Sequence, residues 1–421
     1  MINNKLIIFI AVFFCMIPLH SHADYQVEFN PSVSISETYD DNIDLYSRNE
    51  IADWLTTISP RIGLDIDSEK SSLLLNYGPV IVRYKDEYQY NTIRHYGTLT
   101  FGRQLTDHLR FDLTDTYLQS EQPVEETEDI YIARQTRNVY TRNRGSADVT
   151  YVFFRPENSL NLGYDYSWLK NRDVTLLDNN AYSPNAELIY WLNDNNGLEV
   201  SYEGLLVNYS RGGEDLSEES SSRDRVGIRY LRRFSEHTTA FGGYTYSNNY
   251  TGDTENYIIH EGLIGFSHDF SANTSLSLSG GYFLLKNESS DDDNGYSYDI
   301  SLEKSFRRGN ITVEGSGGWR EGYLEIESRG YTKYWSMVST FNYQVMENLS
   351  NYGSLSSMHD KDETGQSSKN HRTNYGWRFS FMRWFSLSLD YYYLTRDDDV
   401  DIYDYRVNRI MITLRASRVF R

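Results

Sequence analysis

From Val27 onward, apolar and polar side chains alternate along most of the chain, in segments separated by turn-forming residues. The clearest segment is SLNLGYDYSWLK, Ser159 to Lys170. Leu160, Leu162, Tyr164, Tyr166 and Trp168 share one parity, and Asn161, Gly163, Asp165 and Ser167 share the other. Side chains of an extended chain point alternately to opposite faces, so this segment is a strand with one apolar, aromatic-tipped face and one polar face. The same pattern puts Ile62, Leu64 and Ile66; Leu109, Phe111 and Leu113; Val149, Tyr151 and Phe153; Leu198, Val200 and Tyr202; Leu276, Leu278 and Tyr282; Trp377, Phe379 and Phe381; and Leu387, Leu389 and Tyr391 on the apolar face. Their neighbours Asp65, Arg110, Asp112, Asp148, Glu199, Ser277, Arg378 and Asp390 then take the polar face. In Ser72 to Lys85 the parity changes: Leu73, Leu75 and Tyr77 favour odd positions outward, and Val80, Val82 and Tyr84 favour even ones. This predicts a bulge at Gly78-Pro79.

About 20 such segments, each of about 10 to 15 residues, follow one another to the C-terminus, with 18 also compatible. The connections alternate in length. Tight turns are expected near Asp67-Lys70, Thr106-Asp107, Arg155-Asn158, Asp194-Asn196, Ser235-Glu236, Ser271-Asn273, Arg308-Gly309, Glu347-Asn348 and Phe385. Mostly longer, acidic connections fall at Asp40-Asp53, Glu121-Arg137, Arg211-Ser222, Ser289-Gly295, Glu325-Lys333, Asp360-Asn370 and Asp397-Asp404. Short turns on one side and long loops on the other are the signature of an outer-membrane barrel, and a propeller would instead repeat by blade. The expected fold class is all-β: one transmembrane outer-membrane barrel of antiparallel strands, with short periplasmic turns, longer acidic extracellular loops, and both termini periplasmic. The last strand, with Ile410, Ile412, Leu414, Ala416 and Phe420 on one face, resembles the C-terminal signal read by the barrel-assembly machinery.

Composition narrows this further. The 421 residues are 39% hydrophobic with a mean hydropathy of -0.61, which excludes a bundle of membrane helices beyond the N-terminus. Aromatics make up 15%, with 37 Tyr, an excess suited to two interfacial girdles around a barrel. Met1 to Ala23 has Lys5, an apolar run from Leu6 to Leu19, and Ser21-His22-Ala23. It reads as a cleaved secretory signal, leaving residues 24–421 as the barrel in the outer membrane of a Gram-negative cell. Cys15, the single cysteine, lies in that run, so the mature chain is expected to have no disulfide, lipid anchor or thiolate metal site.

Candidate chemistry lies on the polar face. Glu199 and Glu203 are expected to meet Arg225, Arg229 and Arg233 across adjacent strands. Arg142 and Arg144 neighbour the strand of Arg110 and Asp112, and Asp165, Arg378 and Asp390 complete the set of lumen-lining charges. Such a set either braces a wet lumen or forms a track for a polar or anionic polymer. Tyr96 and Tyr392 also point inward, where a ring and its hydroxyl can pack on sugars. The tracts Glu125-Glu126, Asp291-Asp292-Asp293 and Asp397-Asp398-Asp399 lack EF-hand spacing and read as solvated loops, although surface carboxylates of this kind can hold cations. No nucleophile elbow, zinc-protease or phosphate-loop motif occurs, and the histidines are scattered, so no enzyme, metal or cofactor is expected. A net charge of -20 argues against nucleic acid. The loop Glu121-Arg137, long and of mixed charge, is the expected plug of the lumen.

The stretch NPSVSISETYDDNIDLYSRNEIADWLTTISPRIGLDID, followed by SSLLLNYGPVIVRYKDEY, resembles the outer-membrane β-barrel porins associated with bacterial exopolysaccharide loci. The resemblance rests on Glu37-Thr38-Tyr39-Asp40-Asp41-Asn42-Ile43, on Ile58-Ser59-Pro60 and on Ser72 to Tyr77, and covers roughly the first quarter of the chain. It implies a barrel that exports a polar polymer, exopolysaccharide above all, handed over by a periplasmic polysaccharide-export protein. The alternatives are a general porin for small solutes and a surface-binding or structural barrel that holds cations or matrix sugars.

Overall fold

The computed structural model describes residues 25–122, 137–215, 220–251, 256–288, 291–321, 331–362 and 365–421. The signal-peptide expectation lies outside them. The strands are β1 (Gln26–Asp40), β2 (Asp53–Ser68), β3 (Ser71–Tyr84), β4 (Thr92–Thr106), β5 (Leu109–Ser120), β6 (Tyr140–Val152), β7 (Ser159–Asn171), β8 (Leu177–Asn193), β9 (Asn196–Arg211), β10 (Glu214–Asp215), β11 (Ser221–Ser235), β12 (Thr238–Thr251), β13 (Tyr257–Ser271), β14 (Thr274–Asn287), β15 (Asp293–Phe306), β16 (Gly309–Glu321), β17 (Tyr331–Met346), β18 (Leu349–Asp362), β19 (Ser367–Met382), β20 (Phe385–Asp398) and β21 (Tyr405–Ser417). β10 is a two-residue ladder on the end of β9, and β9 pairs directly with β11. The other twenty form a single antiparallel wall.

The wall closes on itself. β1 pairs with β21 from Ser32 opposite Ser417 to Asp40 opposite Arg409. Beyond that ladder, Phe29 and Phe420 exchange two backbone hydrogen bonds of 2.8 and 2.9 Å. Closure leaves no unpaired sheet edge, which a bilayer would not tolerate.

One apolar face can be followed around the whole circuit. Ile35 stands opposite Ile58 and Leu414, Leu64 opposite Leu75, and Leu75 opposite Leu99. Val149 stands opposite Leu162, and Trp377 opposite Leu389. Apart from Val80, Val82 and Tyr84, the apolar residues named from sequence fall on this outer face, and many are large and exposed, as lipid contacts must be in a protein seen without its bilayer. The turn-side rim carries Phe-rich contacts such as Phe379–Phe381 at 6.2 Å and Phe381–Phe385 at 5.9 Å. The loop-side rim carries Tyr39–Trp54 at 5.3 Å and Tyr166–Tyr182 at 5.2 Å.

Connections on the side of the termini are mostly two residues long, as at 69–70, 107–108, 194–195 and 347–348. The opposite side carries the long loops, to which the structure adds two that sequence passed over, at residues 85–91 and 172–176. The bulge expected at Gly78-Pro79 is absent. β3 keeps one register with β2 and with β4 throughout. Val80, Val82 and Tyr84 therefore point inward, and their greasiness has another cause: loop 1 (residues 41–52) folds into the mouth and covers Val82 and Tyr84 with Ile43.

Candidate functional site: the lumen wall and its mouth

The register places all twelve sequence-selected charges, together with Tyr96 and Tyr392, on the inward parity. Their partnerships differ from the expected ones. Arg229 does meet Glu199 across the β9–β11 ladder, Nη1 to Oε1 at 3.1 Å. Glu203, although level with Arg225, is held by Arg223, two residues along the strand, which the sequence reading missed. Arg225 reaches instead across β12 to Glu261 on β13, at 3.6 Å. Long side chains find diagonal partners about as readily as opposite ones, so level pairing alone does not select the bond. Arg233 stacks over Trp191 at 4.1 Å and stands 4.0 Å from Glu157 of a turn.

Arg110 clamps Asp112 on its own strand with two bonds of 2.7 Å. Arg142 and Arg144 are not brought to that pair: they stand level with Leu118 and Thr116, nearer the mouth, while Asp112 faces Asp148. Asp165 accepts a 3.1 Å bond from Asn185 Nδ2. Arg378 lies over the Tyr352 ring at 5.2 Å, and Tyr352 donates to Asp390 at 2.5 Å. No side chain larger than hydrogen fits beside that bond, since a Cβ on Gly376 would stand 2.4 Å from Asp390 Oδ1 and 2.6 Å from the tyrosine ring.

The loop-side end of the lumen has a different character. Inward apolar residues there are buried in four clusters: Ile43 with Val82 and Tyr84; Ala181 with Val207 and Tyr209; Tyr257, Ile259, Phe283 and Leu285 with Tyr331; and Leu394 with Tyr405 and Val407. All but Ile43 belong to the loop-side portions of their strands, so together they form an apolar collar.

Loop 1 bridges the collar across the barrel seam. Ile43 packs on β3, while Leu45, in a left-handed conformation (φ 59°), packs on the β20–β21 cluster. Asn42 is fully buried. Its Nδ2 donates to the carbonyls of Tyr46 (2.8 Å) and Arg406 (3.1 Å), and its Oδ1 accepts from Tyr46 N (2.9 Å). Asp41 receives Asn408 N and Nδ2, both at 2.7 Å, and Asp40 pairs with Arg409 at 2.8 Å. The Asp40-Asp41-Asn42-Ile43 element of the sequence resemblance is thus a structural latch.

A buried charge cluster completes the latch. Arg137 donates to Asp44 Oδ1 (3.0 Å), Tyr84 Oη (2.7 Å) and the Ile43 carbonyl, and stands 3.5 Å from Glu121, which Arg94 holds at 2.6 Å. Tyr90 donates to Asp44 Oδ2 at 2.9 Å, and its hydroxyl pKa is pushed up to about 12 by burial and by that bond. The plug expected from Glu121-Arg137 falls mainly on residues 123–136, outside the described residues; its ends, Glu121 and Arg137, secure loop 1. Glu125-Glu126 also lies outside. Asp293 is tied to Lys333 and Tyr331, and Asp398 to Arg396 and Gln366. Among the described residues no cluster is arranged to hold a metal ion. His95 and His260 bond Tyr77 and Tyr244 on the outer face, far from any lumen chemistry.

No family model and no curated protein matches the chain. Solved structures do. The siderophore receptor PirA from Pseudomonas aeruginosa aligns with a TM-score of 0.52 at 9% identity, over 93% of this chain and 80% of that one. The copper transporter OprC aligns with 0.56 at 8% identity over 95% and 81%, and the FrpB iron transporter from Neisseria meningitidis with 0.56 at 9% over 92% and 82%. At such identities the likeness is one of fold. With its closed wall, lipid-directed apolar face and rim aromatics, the chain is an outer-membrane β-barrel.

Proposed function

We propose that the barrel is a channel for polar solutes whose outer mouth is shut by loop 1 and the apolar collar. The observation that carries this reading is the contrast along the lumen axis. Below the collar the inward wall is serine-, asparagine- and charge-rich, whereas at the loop end inward side chains such as Val82, Val207, Leu285 and Val407 are completely buried. A wet lumen closed at one end by a loop latched into an apolar collar is the arrangement of a gate.

Deleting residues 43–50 is expected to raise single-channel conductance in planar bilayers well above that of the wild type. A correctly folded deletion variant with unchanged conductance would sink the gate. On cargo, the exopolysaccharide reading, with its periplasmic export protein as partner, is supported by the N-terminal resemblance and by the lumen tyrosines Tyr96, Tyr352 and Tyr392. Loss of the chain from its host should then trap polysaccharide in the periplasm; unchanged surface polymer would leave a small-solute channel. The cation-holding surface reading is weakened, because Asp293 and Asp398 already have protein partners.

A further inference from the structure

Most lumen arginines are matched by a carboxylate, as Arg110 is by Asp112, Arg229 by Glu199, Arg320 by Asp360 and Arg409 by Asp40. Three are not. Arg61 on β2, Arg378 on β19 and Arg415 on β21 all have inward parity and are exposed to the lumen, and none has a described carboxylate within ion-pair distance. They lie on a diagonal across the seam, each step two strands over and two residues along the wall. Arg415 is level with Ser386 on β20 and Ser34 on β1; Arg378 is level with Ser388; Arg61 is level with Ser32. Arg415 lies within electrostatic reach of both other guanidinium groups. The strands between the arginines thus offer only small hydroxyl side chains at these levels. The lumen acids Asp65 on β2 and Asp390 on β20 are displaced along the wall from these levels, and Asp390 accepts its bond from Tyr352, over whose ring Arg378 lies.

Three like charges held over a floor of serines, in a chain of net charge -20, repel one another, and an anion placed among them would relieve that repulsion. Guanidinium forks match the geometry of carboxylate and phosphate oxygens, and the intervening hydroxyls can donate as well. We infer that Arg61, Arg378 and Arg415 form an oxyanion-binding site on the lumen wall, taking carboxylate or phosphate groups of a solute. The site's chemistry rests on no conduction step, although it would make the proposed channel selective for anionic cargo.

The test is calorimetric titration of the full-length refolded barrel in detergent, at low ionic strength, with inorganic phosphate and, separately, with citrate. Folding is checked throughout by heat-modifiable gel migration. Saturable binding of either oxyanion is expected in the wild type, and which one binds identifies the group. The variant R61S/R378S/R415S should abolish it, and the milder R415S should weaken it about tenfold, as for loss of a charge-assisted bond. The charge-matched control R155S/R232S/R308S, on turns and the outer face, should bind as the wild type does. Absence of binding in the wild type, equal binding in a folded R415S, or equal loss in the control would overturn the site. Failure of loop deletion to change conductance would instead count against the gate and leave this result untouched.

Discussion

At Arg137 a single side chain satisfies Asp44, Tyr84, the Ile43 carbonyl and, more loosely, Glu121, in surroundings that are almost wholly buried. Removing one partner of a buried charge group leaves the others uncompensated, at a cost of about 3 kcal/mol or more. Arg137→Ala is therefore expected to release loop 1 without unfolding the wall, read as new protease cleavage within residues 41–52. Cleavage no faster than in the wild type would show that Ile43 and Asn42 suffice. Tyr90 sets a pH limit on the same latch. Its folded pKa of about 12 exceeds the ordinary 10.0, so the folded form retains a proton that the released form loses. The stabilisation is complete below pH 10 and falls away as pH rises from 10 towards 12. Tyr90→Phe should remove that alkaline dependence of loop release.

For the strands, parity is the governing variable. Ile412 and Thr413 are sequence neighbours, yet Ile412 stands in the outward row with Leu389, and Thr413 stands inward, bonded to Ser36 at 2.9 Å. Near the bilayer midplane Ile412→Arg should destabilise the barrel by about 2–4 kcal/mol, while Thr413→Arg, in water, should cost far less. Urea unfolding in lipid vesicles measures both, and equal penalties would contradict the assigned faces. The same reasoning shows why Val80, Val82 and Tyr84 mislead when read alone: an apolar inward row looks like lipid contact unless the loop that covers it is known.

For the whole molecule, the closure of β1 on β21 fixes strand number and register together. Ser32 and Ser417 are directly opposite, and they alternate with the hydrogen-bonded Phe29–Phe420 pair. That makes them a non-hydrogen-bonded pair with closely spaced Cα atoms, a geometry that accepts a disulfide. The double variant S32C/S417C should cross-link on oxidation and resist heat unfolding until reduced. A cross-link forming instead in the separate variant S32C/R415C would mean a seam shifted by two residues.

Sequence by itself determined the wall. Alternation fixed which residues of each strand meet lipid, because a misplaced charge there is heavily penalised, and the turn chemistry fixed the hairpin order. The outward rows from Ile62 to Leu414 and the inward parity of all twelve chosen charges were legible for that reason. Only the tertiary structure decided what those charges touch and what fills the mouth. Arg225 bypasses Glu203 for Glu261 two strands away, Arg61 and Arg415 join Arg378 across a seam between residues hundreds of positions apart, and Ile43 turns a loop into a wedge. A strand's local pattern encodes a binary choice of face. Diagonal reach, barrel closure and loop insertion depend on distances between elements far apart in the chain, and period-two patterning carries none of that.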